Sequence, residues 1–352
     1  MRLTNFSDFS LRLLMYAAAN QDRLITIEET SKIYGISRAH LMKIANTLTR
    51  TGYLKAVRGR SGGLVFRKGP PRGSRRRAFA CSSLAAGTSS DRHGKRAWCA
   101  GERRMTDLHP YLQHEGVLAF AHRGGALEAP ENTMKAFQYA VDLGYAYVET
   151  DAYATRDGVL LSFHDDRLDR VTDAKGRIAD LDYAEIRNAR IGGAEPIPLL
   201  EELLTAWPKL KVNIDPKHDN AVEPLIALLK RLNALDRVCV GSFSDARIGR
   251  VRAAFGPDAC TSMGPKEVVR FWLAKRRIPT GRFGANCVQI PVRQGRFRLV
   301  DEAAVRAARR HGLQIHVWTI DDEAEMRRLV ALGVDGIMTD RPALLRTVLN
   351  SL

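Results

Sequence analysis

The sequence has little cysteine: Cys81, Cys99, Cys239, Cys260 and Cys287 are odd in number in 352 residues and form no CxxC pair. That argues against a disulfide framework and a structural zinc site. Uninterrupted apolar runs fall well short of the ~20 residues that cross a membrane, and Asp8, Arg12 and Asp22 break up the apolar start, unlike a secretory signal. A cytoplasmic protein with no membrane span is expected. Without a GxGxxG turn, a dinucleotide-binding fold has no support.

Acidic charge is scarce only at the head of the chain. Residues 1–105 hold 21 Lys and Arg against 6 Asp and Glu, a balance of +15; subtraction from totals of 55 and 39 leaves 34 against 33, or +1, for residues 106–352. Attraction to phosphate follows local charge, so a basic head and a near-neutral body imply two units with different partners. The length also allows two domains at roughly 100–200 residues each.

Residues 1–68 read as helices and a hairpin. Leu11, Leu13, Leu14, Ala17 and Ala18 form one helical stripe, Thr26-Ile27-Glu28-Glu29 starts a second helix that ends at Gly35, and Ser37 caps a third. The third helix should turn Leu41, Met42, Ile44, Ala45 and Leu48 inward and Arg38, His40, Lys43 and Arg50 outward. Two short strands, Tyr53–Val57 and Gly63–Arg67, flank a wing carrying Arg58 and Arg60. This is winged helix-turn-helix order, with Arg38, His40, Lys43, Arg58 and Arg60 as the candidate DNA contacts. Through Met1-Arg2-Leu3-Thr4, Tyr34-Gly35-Ile36-Ser37-Arg38, His40-Leu41-Met42-Lys43 and Val57-Arg58-Gly59-Arg60-Ser61-Gly62-Gly63, this segment resembles the start of the iron-sulfur winged-helix repressors that sense nitric oxide or nitrite. That family continues into three cluster-binding cysteines and a dimerisation helix, which do not follow here. No iron-sulfur cluster is therefore expected, and only weak, non-specific DNA binding. Residues 69–104, rich in Arg, Ser, Gly and Ala, read as a disordered basic linker, and a third segment runs over 105–352.

Residues 106–352 alternate strand and helix. Strand patterns at Val117–His122, Tyr147–Asp151, Lys211–Asp215, Val238–Phe243, Ala259–Met263, Val288–Val292, Ile315–Ile320 and Gly336–Asp340, with helical patterns between them, predict a TIM-type (β/α)8 barrel carrying a small insertion after strand two. Chemistry in such a barrel gathers at the carboxyl ends of the strands. Strand one ends in His122-Arg123, strand two in Glu149-Thr150-Asp151 and strand three in Asp215-Pro216-Lys217. Glu149 and Asp151, two apart, share the interior side, and an interior carboxylate pair calls for a cation. A two-residue turn at Asp157-Gly158 would set Asp151 directly across from His164. Plainer alternatives are a helix cap or an arginine salt bridge for the carboxylates, and Lys217 simply neutralising Asp215.

Here the chain resembles the glycerophosphodiester phosphodiesterases. The shared motifs include Ala121-His122-Arg123-Gly124-Gly125, Pro130-Glu131-Asn132-Thr133, Glu149-Thr150-Asp151, Phe163-His164-Asp165, Asn213-Ile214-Asp215-Pro216-Lys217 and Gly336-Ile337-Met338-Thr339-Asp340, across about residues 117–345. The resemblance implies metal-dependent hydrolysis of glycerophosphodiesters to glycerol 3-phosphate and an alcohol. It also implies Ca²⁺ or Mg²⁺ on Glu149, Asp151 and Asp215, and His122 and His164 as an acid and base pair in either order. Arg123 and Lys217 are implied to hold the phosphodiester; Trp318 is a candidate wall of the glycerol pocket or rim packing, and Glu131 a supporting residue near the metal or a cap of the first helix. The family usually carries Glu where Asp215 stands, one methylene longer. The alternative function is a DNA-binding transcriptional regulator whose barrel is a sensor or a fused passenger.

Overall fold

The computed structural model describes residues 9–10, 13–14, 16–17, 20, 23–50, 53–57, 59, 62–66, 108–294 and 297–352. The chain divides into a small N-terminal unit and a large unit within Arg103–Arg277 and Gly281–Leu352.

In the small unit, Thr26 accepts a hydrogen bond from the Glu29 N–H while the Glu29 carboxylate takes the Thr26 N–H, a reciprocal cap that starts the helix Ile27–Tyr34. Gly35 ends it at φ 63°. The helix Arg38–Arg50 buries Leu41, Ile44, Ala45 and Leu48, and Leu54–Val57 pairs antiparallel with Gly63–Phe66 as the wing. Met42, expected inward, is 56% exposed. At about 100° per residue it stands beside the stripe of 41, 44, 45 and 48 rather than on it. Arg38, His40 and Lys43 are exposed; Arg38 pairs with Glu28, and the His40 ring lies 3.0 Å from the Ser37 hydroxyl. Arg58, Arg60 and the expected linker lie outside the described residues.

The large unit is the barrel. Its strands are β1 (Leu118–His122), β2 (Tyr147–Ala154), β3 (Lys211–Pro216), β4 (Val238–Val240), β5 (Cys260–Thr261), β6 (Cys287–Pro291), β7 (Gln314–Trp318) and β8 (Gly336–Thr339). They run in the order β5-β4-β3-β2-β1-β8-β7-β6, and a parallel bridge from Ser262 to Cys287 joins the two ends of that order. A helix follows each strand, the last being Pro342–Asn350. Among the described residues no helix is long and apolar enough to cross a membrane.

Alternation along the strands sorts the interior by height. At the floor, Tyr111, Leu118, Phe120, Tyr147, Cys239, Cys260, Cys287 and Met338 form one apolar cluster. Above it the Gln289 amide donates to Asn213 Oδ1 at 2.9 Å and lies 3.3 Å from His316 Nδ1. Packing is tight enough that a Cβ on Gly336 would come within 2.9 Å of both His316 and Phe120. The upper rim holds the ionisable residues.

Beyond the barrel wall, β2 turns back as Leu160–Ser162 with Ala152 facing Ser162 and Ala154 facing Leu160. Paired positions therefore sum to 314 rather than the 315 a two-residue turn requires, and Asp151 faces Phe163, not His164. The Phe163 N–H donates to the Asp151 carbonyl at 3.0 Å. Thr155 and Val159 still pair, leaving a three-residue loop whose last member, Gly158, sits at φ 85°. The insertion after this hairpin packs on its own cluster, which includes Phe163, Leu168, Ile178, Ile186 and Ile191.

Just before β8, Asp335 accepts a hydrogen bond from the Ile315 N–H at 2.8 Å, and burial pushes its carboxyl up to about 6. A folded-state value above the ordinary one of about 3.9 means that the folded protein favours the protonated acid. Its stabilising contribution is then complete below about pH 3.9 and lost as pH rises through 6. Asp335→Asn keeps an acceptor for Ile315 without the charge. Its thermal midpoint should equal or exceed that of the parent at pH 7, and the parent should gain on it as pH falls to 5. A parent that loses ground on acidification would contradict this reading of Asp335.

Candidate active site

The site grows from the interior face of β2. Glu149 and Asp151 are 2% and 0% exposed, and the register places Asp151 beside Asp215 of β3. Burying carboxylates this closely is costly unless cations meet them. Lys217 reaches between the strands, its Nζ 2.6 Å from Asp151 Oδ1 and 2.7 Å from Asp215 Oδ2. Burial opposes its charge, but Asp151 and Asp215 outweigh burial and raise its pKa. Arg123 donates its N–H to Glu149 at 3.3 Å. The Arg123 guanidinium lies 3.2 Å from Asp151 Oδ2 and 3.2 Å from Glu131 Oε1. This reach needs a sharp turn after β1, with Arg123, Gly124 and Gly125 all at positive φ. A Cβ on Gly124 would come within 2.6 Å of Ala136, so only glycine fits.

The two interior carboxylates are pushed apart electrically. Burial first, and then the Asp151 charge, raise the pKa of Glu149. Burial also works against the Asp151 anion, but Lys217 and Arg123 override it and lower its pKa. Asn132 adds a hydrogen bond to Asp151 Oδ2 at 3.4 Å, and Thr150 fixes the Asn132 amide at 2.8 Å.

Each histidine faces the site with one nitrogen held by a carboxylate. His122 Nδ1 lies 2.6 Å from Asp340 Oδ1, and its Nε2 is 3.6 Å from Glu149. His164 Nδ1 lies 2.6 Å from Asp165 Oδ1. A carboxylate on Nδ1 selects the tautomer that carries its proton there and leaves Nε2 for exchange. The two rings are tuned in opposite directions. Burial would lower the His122 pKa, but Glu149 and Asp340 raise it overall; for His164 burial prevails and the pKa falls.

His122, Arg123, Glu131, Glu149, Asp151, Asp215 and Lys217 are thus joined by direct contacts. His164 reaches them through Asp165 and Arg170, the latter paired with both Asp165 and Glu131. Trp318, at the end of β7, stands with its ring 5.9 Å from that of Phe243 and makes no described hydrogen bond or ion pair with these residues. Sequence reasoning did not single out Asp340, Asp165, Arg170 and Asn132, which the structure brings into contact with the candidate residues. For Asp340 a signal existed: in a closed barrel β8 lies beside β1, with Thr339 opposite Ala121, so the next residue reaches His122.

The donor set of Glu149, Asp151 and Asp215 is all hard oxygen, the kind that Ca²⁺ and Mg²⁺ take. Asp151 Oδ1 is buried and accepts no well-aligned hydrogen bond; it is met only by the Lys217 ion pair. These residues fit a divalent cation chemically, although Asp151 and Asp215 are paired with Lys217 and Glu149 with His122 and the Arg123 N–H. Among the described residues no three His, Cys, Asp or Glu groups are already spaced to hold a metal.

The barrel residues 122–344 match the model of the glycerophosphoryl diester phosphodiesterase family, and residues 3–72 match that of an iron-dependent transcriptional regulator family. Over 246 residues the chain is 40% identical to the Mycobacterium tuberculosis protein named "Probable glycerophosphodiester phosphodiesterase 2", covering 68% of this chain and 93% of that one. It is 29% identical to a glycerophosphodiester phosphodiesterase of Caldanaerobacter subterraneus over 64% of this chain and 95% of that one. A crystal structure of the glycerophosphodiester phosphodiesterase from Agrobacterium tumefaciens superposes with a TM-score of 0.57 at 26% identity, covering 66% of this chain and 99% of that one.

The opposite tuning of the two rings is measurable. In cation-free protein, a proton NMR titration should find His122 charged to a higher pH than His164, and Asp340→Asn should narrow the gap by lowering His122. An unchanged His122 titration in that variant would remove Asp340 as its anchor.

Proposed function

The chain belongs to the glycerophosphoryl diester phosphodiesterase family, and we propose that its barrel hydrolyses glycerophosphodiesters to glycerol 3-phosphate and an alcohol in a reaction that depends on a divalent cation. The observation that carries this reading is the pairing of two carboxylate-anchored imidazoles with a buried carboxylate group bridged by Lys217 and Arg123.

Phosphodiester hydrolysis needs a proton taken from the attacking hydroxyl, a proton given to the leaving alkoxide, and charge offset on the non-bridging oxygens. The Nε2 atoms of His122 and His164 handle the two protons, each held in the right tautomer by the carboxylate on its Nδ1. Arg123 and Lys217 supply positive charge where the phosphate sits, turning from the carboxylates they now neutralise. Glu149, Asp151 and Asp215 would hold the cation, Ca²⁺ or Mg²⁺ by their oxygen chemistry. When bound, that cation adds charge neutralisation at the phosphate oxygens. Glu131 keeps Arg123 in place through the 3.2 Å contact, and Trp318 lines the glycerol side of the mouth.

A second activity has its own observation. The match of residues 3–72 to a regulator family and the exposed Arg38, His40 and Lys43 support weak binding to DNA phosphates by the N-terminal unit, which would fall steeply with added salt.

Purified protein should release glycerol 3-phosphate from glycerophosphocholine with Ca²⁺ or Mg²⁺ present and stop in excess chelator. His122→Ala and His164→Ala should each slow turnover by about 10²–10⁴-fold with the fold retained, the usual contribution of a general acid or base. A full rate in chelator would remove the cation from the account, and a loss of only a fewfold at either histidine would demote that residue.

A further inference from the structure

The two histidines are anchored unequally. His122 ends β1 and its partner Asp340 directly follows β8, the strand paired with β1, so the ladder fixes the approach of the two residues. His164 and Asp165 lie in the bend after the hairpin strand Leu160–Ser162, and no strand holds Asp165. What holds it is Arg170, in the turn Leu168–Arg170 of the insertion. Arg170 Nε donates to Asp165 Oδ2 at 2.5 Å and Nη2 to Asp165 Oδ1 at 3.2 Å; Nη1 and Nη2 donate to the two Glu131 oxygens at 3.0 and 2.6 Å. Glu131 in turn contacts Arg123, which contacts Asp151. Charges of alternating sign thus run from the buried carboxylates to His164, and Arg170 is the link that closes the run.

We propose that Arg170 is a positioning residue for His164: by clamping Asp165 against Glu131 it holds the imidazole in its working orientation and ties the insertion to the reaction centre. This rests on His164 serving in phosphodiester hydrolysis. Four hydrogen bonds to two carboxylates fix the guanidinium between Asp165 and Glu131. Arg170 is half exposed, so water can take its place against Asp165 and Glu131 when it is removed, and the loss should be felt in turnover more than in the fold.

The test is Arg170→Ala in the full chain. Turnover should fall by about 10–10²-fold, part of what a general acid or base supplies, with KM changed by less than about twofold and the thermal midpoint kept. Added guanidinium should restore part of the rate. Combined with Asp165→Asn it should cost no more than Asp165→Asn alone, as expected when two residues act through one contact. The His164 Nδ1–H resonance of cation-free protein should broaden or shift on the same substitution. An unchanged turnover, a raised KM with turnover intact, or additivity with Asp165→Asn would each overturn the proposal. A wild-type chain inactive on glycerophosphodiesters would overturn the proposed function instead, and the His164 resonance would still decide the role of Arg170.

Discussion

The Lys217 ammonium lying between Asp151 and Asp215 is the contact on which the site depends. Closing eight strands into a ring forces the interior positions of β2 and β3 to share a space with little water. Ions taken out of water there carry a penalty of several kcal/mol each unless they are paired. Lys217 and Arg123 meet that penalty, and their placement explains the rest. The turn after β1 runs through three residues at positive φ, which brings the Arg123 backbone N–H and side chain onto Glu149 and Asp151. Asn132 and Thr150 tie the remaining Asp151 oxygen to the loop before the first helix.

Paired charges of this kind are also exchangeable. Under the proposed function Lys217 and Arg123, which stabilise the resting site, would also be the groups that meet the phosphate, and Glu149, Asp151 and Asp215 would hold a cation that offsets the carboxylate charge in their place. Asp215, one methylene shorter than the Glu that the resemblance leads one to expect, has its carboxylate 2.7 Å from Lys217. The plainer alternative for Lys217, that it neutralises Asp215, describes the resting molecule and is compatible with a part in substrate binding.

Much of this was readable in the residues. Strand and helix periods alternate so regularly after residue 106 that the barrel followed, and the polar residues clustered at strand ends marked the rim. Three things were hidden for physical reasons. The hairpin register turned on a single residue, since Asp157-Gly158 fits both a two-residue turn and the end of a three-residue one. Met42 was one step off a helical stripe that sequence alone draws too wide. The anchors of the two histidines, Asp340 and the pair Asp165 and Arg170, depend on which strands and turns meet in space. Asp340 lies 218 positions from His122, a separation that only ring closure bridges.

The proposed function makes the buried carboxylates beside Lys217 a divalent-cation site. Calorimetric titration of the full chain with Ca²⁺, the wild type beside Asp151→Asn, tests it without reference to turnover. One ion should bind per wild-type chain and binding should be lost in Asp151→Asn, a substitution that leaves Lys217 still paired with Asp215. Equal binding by the two proteins would contradict it.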